Sequence, residues 1–207
     1  MDIKTLITQG EGEQLDFKHT IKDARKISVA LTAFANTSGG TLLIGVKDNG
    51  SIKGCDPNEE IFMLESALDR YCKPQPKVTF EPLRVEGKTI LKVDIKAGPE
   101  KPYYTLLENN KWFAYIRTED NCVQASLLQL NLMRAEQKNW APKIQVGDKE
   151  KWLLEYLDQN GKITFREFCK KTKTHPKKAN YILINMILMK VVKVFNEGKN
   201  EFLGLVG

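Results

Sequence analysis

The first fifty residues hold the side chains best suited to do chemistry together. Glu11, Glu13 and Asp16 supply carboxylates, Lys18 and His19 follow at once, and Asp48 stands at a turn further along. Acidic residues that meet in a basic protein make a site for phosphates, for a metal ion, or for both. Spacing sets a condition on this. In a regular strand Glu11 and Asp16 would face opposite ways. They converge only if the chain bends between them, and Gly12 permits a bend. Without it, these charges are a solvated surface segment.

The elements that must position them can be read from periodicity. Residues 21–35 predict a helix, because Ile27, Leu31 and Phe34 recur at helical spacing with Ala30 and Ala33 between them. Asn36-Thr37-Ser38-Gly39-Gly40 stops it. The apolar run 41–46 reads as a buried strand, Asp48-Asn49-Gly50 as a tight turn, and 51–54 as a returning strand. Asp56 and Pro57 open a second helix, whose apolar face is Ile61, Leu64, Leu68 and Tyr71. Strands follow at 78–85 and 89–95. In the latter, Val93 and Ile95 alternate with Lys92, Asp94 and Lys96, so the sheet has one wet face. A further strand is expected at 112–117 and a helix at 124–137. These elements make an α+β domain over 1–138, with a mixed or antiparallel sheet and flanking helices. Residues 139–147 contain Pro142, lack periodicity and read as a linker.

Charge divides the chain unevenly. Of a net +6, residues 148–207 hold 12 Lys and Arg against 7 Asp and Glu, and the rest hold 20 against 19. A compact basic unit points to a polyanion, although lysine can also serve only to solubilise. Within this unit Trp152, Leu153, Tyr156 and Leu157 mark one helix. Thr164 and Glu167 form a capping box for a short second one. Thr174-His175-Pro176 starts a third, expected to run to about residue 190. Strands at 191–195 and 201–205 then flank a hairpin turn. This is the order of a winged helix-turn-helix. Its third helix suits a major groove, and here the N-terminal half carries His175, Lys177, Lys178, Asn180 and Tyr181, with Lys199 at the hairpin tip. The alternative is a winged helix used for protein contacts or dimerisation. The third helix is rich in Ile, Leu and Met, which favours burial of more than one face.

Glu11, Asp16-Phe17-Lys18, Ala33-Phe34-Ala35-Asn36-Thr37, Gly39-Gly40, Leu42, Ile44-Gly45-Val46, Asp48 and Gly50 together resemble the Schlafen-type AlbA-like DNA-binding domain. Lys101-Pro102-Tyr103-Tyr104 and Tyr115-Ile116-Arg117 are similar to that domain's second half, so the resemblance covers about 3–135. It implies a DNA-binding transcriptional regulator, with RNA as the other partner, and bacterial members commonly carry a C-terminal winged helix. Lys18, His19, Lys47 and Arg117 are the contacts expected in the first domain. Some animal members are endoribonucleases acting on structured RNA through three carboxylates. By resemblance that set falls on Glu11, Asp16 and Asp48, with Asp16 one methylene shorter than the glutamate found there. Mg²⁺ or Mn²⁺ would neutralise such a trio, and Lys18 would stabilise phosphate charge. The zinc-binding cysteine and histidine set of those proteins has no counterpart here. Their nuclease uses two tandem copies of the domain, which a homodimer would have to supply.

Other classes are disfavoured. Four cysteines and two histidines include no pair spaced for zinc, so reduced thiols are expected. No apolar run approaches the roughly 20 residues of a membrane helix, and the N-terminus lacks a signal-peptide core, so a cytoplasmic location is expected. The stretch Gly40 to Lys47 comes near a phosphate-loop pattern for ATP but misplaces the lysine and lacks the Ser/Thr.

Overall fold

The structure is a computed structural model and describes residues 3–142 and 147–207. Its first elements are α1 (Ile3–Gln9), β1 (Leu15–Lys18), α2 (Ala24–Asn36) and β2 (Gly40–Ile44). The helix expected from residue 21 starts later because Asp23 caps it. Asp23 Oδ1 accepts from the backbone N–H groups of Arg25 and Lys26 at 2.8 and 3.2 Å. Ahead of the cap, the Ile21 N–H donates to the buried Glu60 carboxylate at 2.9 Å. After α2, Gly39 turns the chain at φ +77°. A Cβ there would lie 2.7 Å from the Ile95 carbonyl oxygen, so only glycine fits.

β2 pairs in parallel with β1, opposing Asp16 to Leu42 and Lys18 to Ile44. Both of its faces are covered. Leu42 and Ile44 pack with Leu31 and Phe34 of α2, while Leu43 packs with Leu15 and Phe17 beneath Ile7 of α1. A strand buried on both sides reads as an unbroken apolar run. The turn after it leads to one bridge, Val46 to Ile52, in place of the expected strand 51–54. There the N–H groups of Lys53 and Gly54 both turn onto the Gly45 carbonyl, at 2.8 and 3.0 Å, and leave no ladder to extend.

α3 (Pro57–Tyr71) starts at its Asp56 cap and leads through β3 (Cys72–Lys73) to the hairpin of β4 (Val78–Val85) and β5 (Lys88–Ile95). The sheet order is β1-β2-β5-β4, mixed, with the β1–β2 pair parallel. Then come β6 (Tyr104–Leu106), β7 (Trp112–Phe113), β8 (Tyr115–Thr118) and β9 (Asn121–Gln124). The strand expected at 112–117 breaks at Ala114, because β7 pairs with β6 and β8 with β9. Asn36, buried at the end of α2, holds this region. Its Nδ2 donates to the carbonyls of Tyr103 and Tyr115 at 2.8 and 2.9 Å, and its Oδ1 accepts from the Tyr103 N–H at 2.7 Å.

The chain divides into two compact units, Met1–Ala125 and Ser126–Gly207. The helix expected at 124–137 is α4 (Leu127–Gln137), and it belongs to the second unit rather than the first. A capping box of Ser126 and Gln129 starts it, and Leu128 packs into the second core. The Ser126 hydroxyl also donates to Glu201 at 2.7 Å. Residues 143–146 of the expected linker lie outside the described residues. The unit continues with α5 (Asp148–Asn160), β10 (Lys162–Ile163), α6 (Phe165–Lys171), α7 (Pro176–Leu188), β11 (Val192–Glu197) and β12 (Asn200–Leu205). The three strands form one antiparallel sheet in the order β10-β12-β11. Leu153, Phe168, Leu183 and Leu203 are at its core. Among the described residues, no helix is long and apolar enough to cross a membrane.

Candidate nucleic-acid interface

The bend required of the first acidic segment is present. Gly12 and Leu15 face each other across a tight turn, with N–H to carbonyl distances of 2.9 and 3.4 Å. The turn brings Glu11 back to β1, where its Oε1 accepts from the Phe17 N–H at 2.8 Å. Leu15 and Phe17 point towards α1, so alternation sends Asp16 to the α2 face of the sheet. There Asp16 is 5% exposed. Lys18 Nζ lies 3.0 Å from Asp16 and 4.0 Å from Glu11, and it donates to the Phe17 carbonyl at 2.7 Å. The Glu11 carboxyl is held above its ordinary value, first by burial and then by its hydrogen bond with the Asp16 carboxyl.

Arg117 completes this cluster, and its role differs from the surface contact expected of it. It is 3% exposed. One terminal nitrogen donates to the Gly12 and Leu15 carbonyls at 2.6 and 3.4 Å, the other lies 3.9 Å from Asp16, and the guanidinium sits over the Phe34 ring at 4.8 Å. Its own backbone N–H donates to the Thr37 hydroxyl at 2.9 Å. Arg117 therefore pins the turn at 12–15 from inside and is not available to a phosphate backbone.

The trio implied for a metal-dependent nuclease is not assembled. Asp48 lies past the end of β2, exposed, in the turn closed by a 2.7 Å bond from the Gly50 N–H to the Lys47 carbonyl. Asp16 is set back at the level of Leu42. Among the described residues no group of three or more His, Cys, Asp or Glu side chains could hold a metal ion. Glu11 and Asp16 face two resident cations, Lys18 and Arg117, which neutralise them without Mg²⁺ or Mn²⁺. The residues present do not fit the ion. His19 and Lys47 are exposed and Lys18 is half-exposed, so these three of the four expected contacts remain on the surface. The cysteines are all free thiols, and burial pushes Cys55 up to about 11 and Cys72 up to about 12, which makes them poor nucleophiles.

In the second unit His175 caps α7. Its Nδ1 accepts from the Lys177 N–H at 3.3 Å, and Pro176 takes the first helical position. His175, Lys177, Lys178 and Tyr181 are exposed over the first turns, and Asn180 is half-buried. Beyond that point a second face of the helix is covered, as its Ile, Leu and Met content foretold. Trp140 packs edge-on against Tyr181 at 6.0 Å and donates to Asn185 at 3.4 Å. Lys199 is exposed in the two-residue turn between β11 and β12, where Gly198 takes φ +57°.

The mixed sheet with helices on both sides and the clasped Phe34–Asn36 segment define an AlbA-like α+β domain. The chain belongs to the family described as Schlafen, AlbA_2, which matches residues 11–126. No curated protein matches it. Among solved structures, the DIP2311 protein of Corynebacterium diphtheriae is similar at 20% identity, over 64% of this chain and 26% of that one, with a TM-score of 0.45. The chain thus spans about a quarter of that protein. The N-terminal domain of an ATP-dependent DNA helicase RecG-related protein from Nitrosomonas europaea is similar at 22% identity, over 61% of this chain and 95% of that one, with a TM-score of 0.43.

Proposed function

We propose that this protein binds nucleic acid and acts as a transcriptional regulator, with its second unit working as a winged helix-turn-helix on duplex DNA. One observation carries the reading: the first turns of α7 present His175, Lys177, Lys178 and Tyr181 together to solvent, opposite the core face formed by Ala179, Ile182, Leu183 and Met186. A helix held by one side and basic on the other, followed by a hairpin with Lys199 at its tip, is the shape that enters a major groove and reaches the adjoining phosphates. The sequence of helix, short helix, longer helix and antiparallel hairpin agrees with it. Membership of the Schlafen, AlbA_2 family points to nucleic acid as the class of partner. Lys18, His19 and Lys47 are the contacts we assign to the first unit. A homodimer would set two such helices on successive half-sites.

The test is binding of the full chain to duplex DNA and to RNA across salt. Affinity for the duplex should fall steeply between about 50 and 200 mM salt, as counterion release requires. The double substitution Lys177→Glu and Lys178→Glu should abolish it while leaving Tm unchanged. Duplex affinity that ignores both salt and this charge reversal would refute the proposal, and a strong preference for RNA would redirect it.

A further inference from the structure

Between α4 and α7, wholly inside the second unit, lies a pocket of about 310 Å³ that shares Lys177 and Tyr181 with the face proposed for duplex DNA. Its chemistry is lopsided. Arg134, Lys138 and Lys177 supply three cations, and none of its described lining residues is acidic. Trp140 and Tyr181 stand at it edge to face, and each keeps more than 40% of its surface exposed, at 43% and 41%. Aromatic rings left this open beside cations are stacking surfaces for a planar anion. Asn180 adds a third signal. Its Oδ1 is buried and has no hydrogen-bond donor in the structure. Buried acceptors of that kind are rare and call for an explanation. Asn180 lines the pocket, and a turn of its amide would offer this oxygen to an amino group on the edge of a ring.

We infer that this pocket binds a single unpaired nucleotide: a base stacked on Trp140 or Tyr181, its edge read by Asn180, and its phosphate held by Lys138, Lys177 and Arg134. Size supports the assignment. The volume sits at the lower end of small-ligand sites, which suits a single nucleotide. Stacking plus cations is how proteins hold unpaired bases without reading a groove. The nucleotide can be free in solution or part of a single strand, since both present the same base and phosphate. This inference does not depend on α7 entering a duplex.

Indole N–H resonances of the full chain report on the site, because three tryptophans give three signals and Trp140→Phe identifies the relevant one. The chain is titrated separately with adenosine 5′-monophosphate, with an eight-residue single-stranded deoxyadenosine oligomer, and with inorganic phosphate. Saturable movement of the Trp140 signal is expected with at least one of the first two, and which one responds names the source. Lys138→Glu, at an exposed position, should weaken the response about tenfold or more without altering the Trp112 and Trp152 signals. The inference is overturned if neither nucleotide probe moves Trp140 saturably at millimolar concentration. It is equally overturned if inorganic phosphate reproduces the whole response, or if Lys138→Glu binds as the parent does. Loss of duplex binding alone would leave these results untouched, so the two readings fail separately.

Discussion

The side-chain amide of Asn36 grips the backbone of Tyr103 from both sides, accepting from its N–H at 2.7 Å and donating to its carbonyl at 2.8 Å. Both residues are nearly inaccessible. The bracket ties the end of α2 to the segment that leads into β6, and a further bond to the Tyr115 carbonyl ties in β8. The Ala33-Phe34-Ala35-Asn36-Thr37 string thus acts through packing and backbone recognition rather than by contact with a ligand.

Asn36→Ala should therefore destabilise the first unit by about 3 kcal/mol or more, since it leaves buried backbone groups of Tyr103 and Tyr115 without partners. Asn36→Asp should fare little better, because a carboxylate cannot donate to two carbonyls. Chemical denaturation measures this, and a cost below about 1 kcal/mol would contradict the bracket.

Arg117→Met removes one of the two cations beside the buried Asp16 and frees the turn at 12–15. A loss of about 2 kcal/mol or more is expected, since the Gly12 and Leu15 carbonyls lose their donor while Asp16 keeps Lys18. Arg117→Lys should not restore stability, because a single ammonium cannot reach both backbone carbonyls and the carboxylate as the fork does. Replacing Asp16 by Asn in the Arg117→Met background should recover part of the loss. If Arg117→Met left Tm intact and lowered only nucleic-acid affinity, the internal role assigned here would be wrong.

Glu11 sets a pH dependence whose sign is fixed. Burial and the Asp16 carboxyl raise its pKa in the folded chain. The folded state then keeps a proton that the unfolded chain has lost, so this group's contribution to stability is present at low pH and is lost as pH rises through the raised value. Glu11→Gln keeps an acceptor for the Phe17 N–H and cannot ionise. Its Tm should exceed that of the parent at pH 7, by something on the order of 2 °C. The gap should close as pH falls through the raised value to the ordinary carboxylate value of 4.5, and a gap independent of pH would exclude this account.

Lys178→Ala and Lys199→Ala probe the second unit one phosphate at a time. Each should lower the slope of log affinity against log salt by about one on duplex DNA, with little effect on Tm. An unchanged slope in both would take the helix and the hairpin tip out of the contact.

The sequence made some of this legible and hid the rest for physical reasons. α2, β2 and α3 stood out because long apolar patterns and caps such as Asp56 act locally. The capping box at Thr164 and Glu167 appeared where it was read, with its reciprocal bonds at 3.2 and 2.9 Å. The parallel pairing of β1, a four-residue strand, depends on a partner far along the chain and leaves no local trace. The same is true of β6 to β9, which are too short to show alternation. Arg117 looked like a surface cation because its partners, Gly12 and Leu15, meet it only through the tertiary fold. Burial of Asn36 was hidden, since Ser28, Thr32 and Asn36 recur four apart and read as a wet stripe, whereas all three are buried. The convergence of Glu11 and Asp16 was legible as a condition on a bend, whereas the separation of Asp48 followed only from strand register.

Because Leu128 is a tenant of the second core and Ser126 is tethered to Glu201, anyone dissecting this protein should cut ahead of residue 126. A fragment trimmed to start at 148 would lack the plug for its own interior. Its greasy slot, once uncovered, would invite clumping that could be mistaken for avid DNA capture.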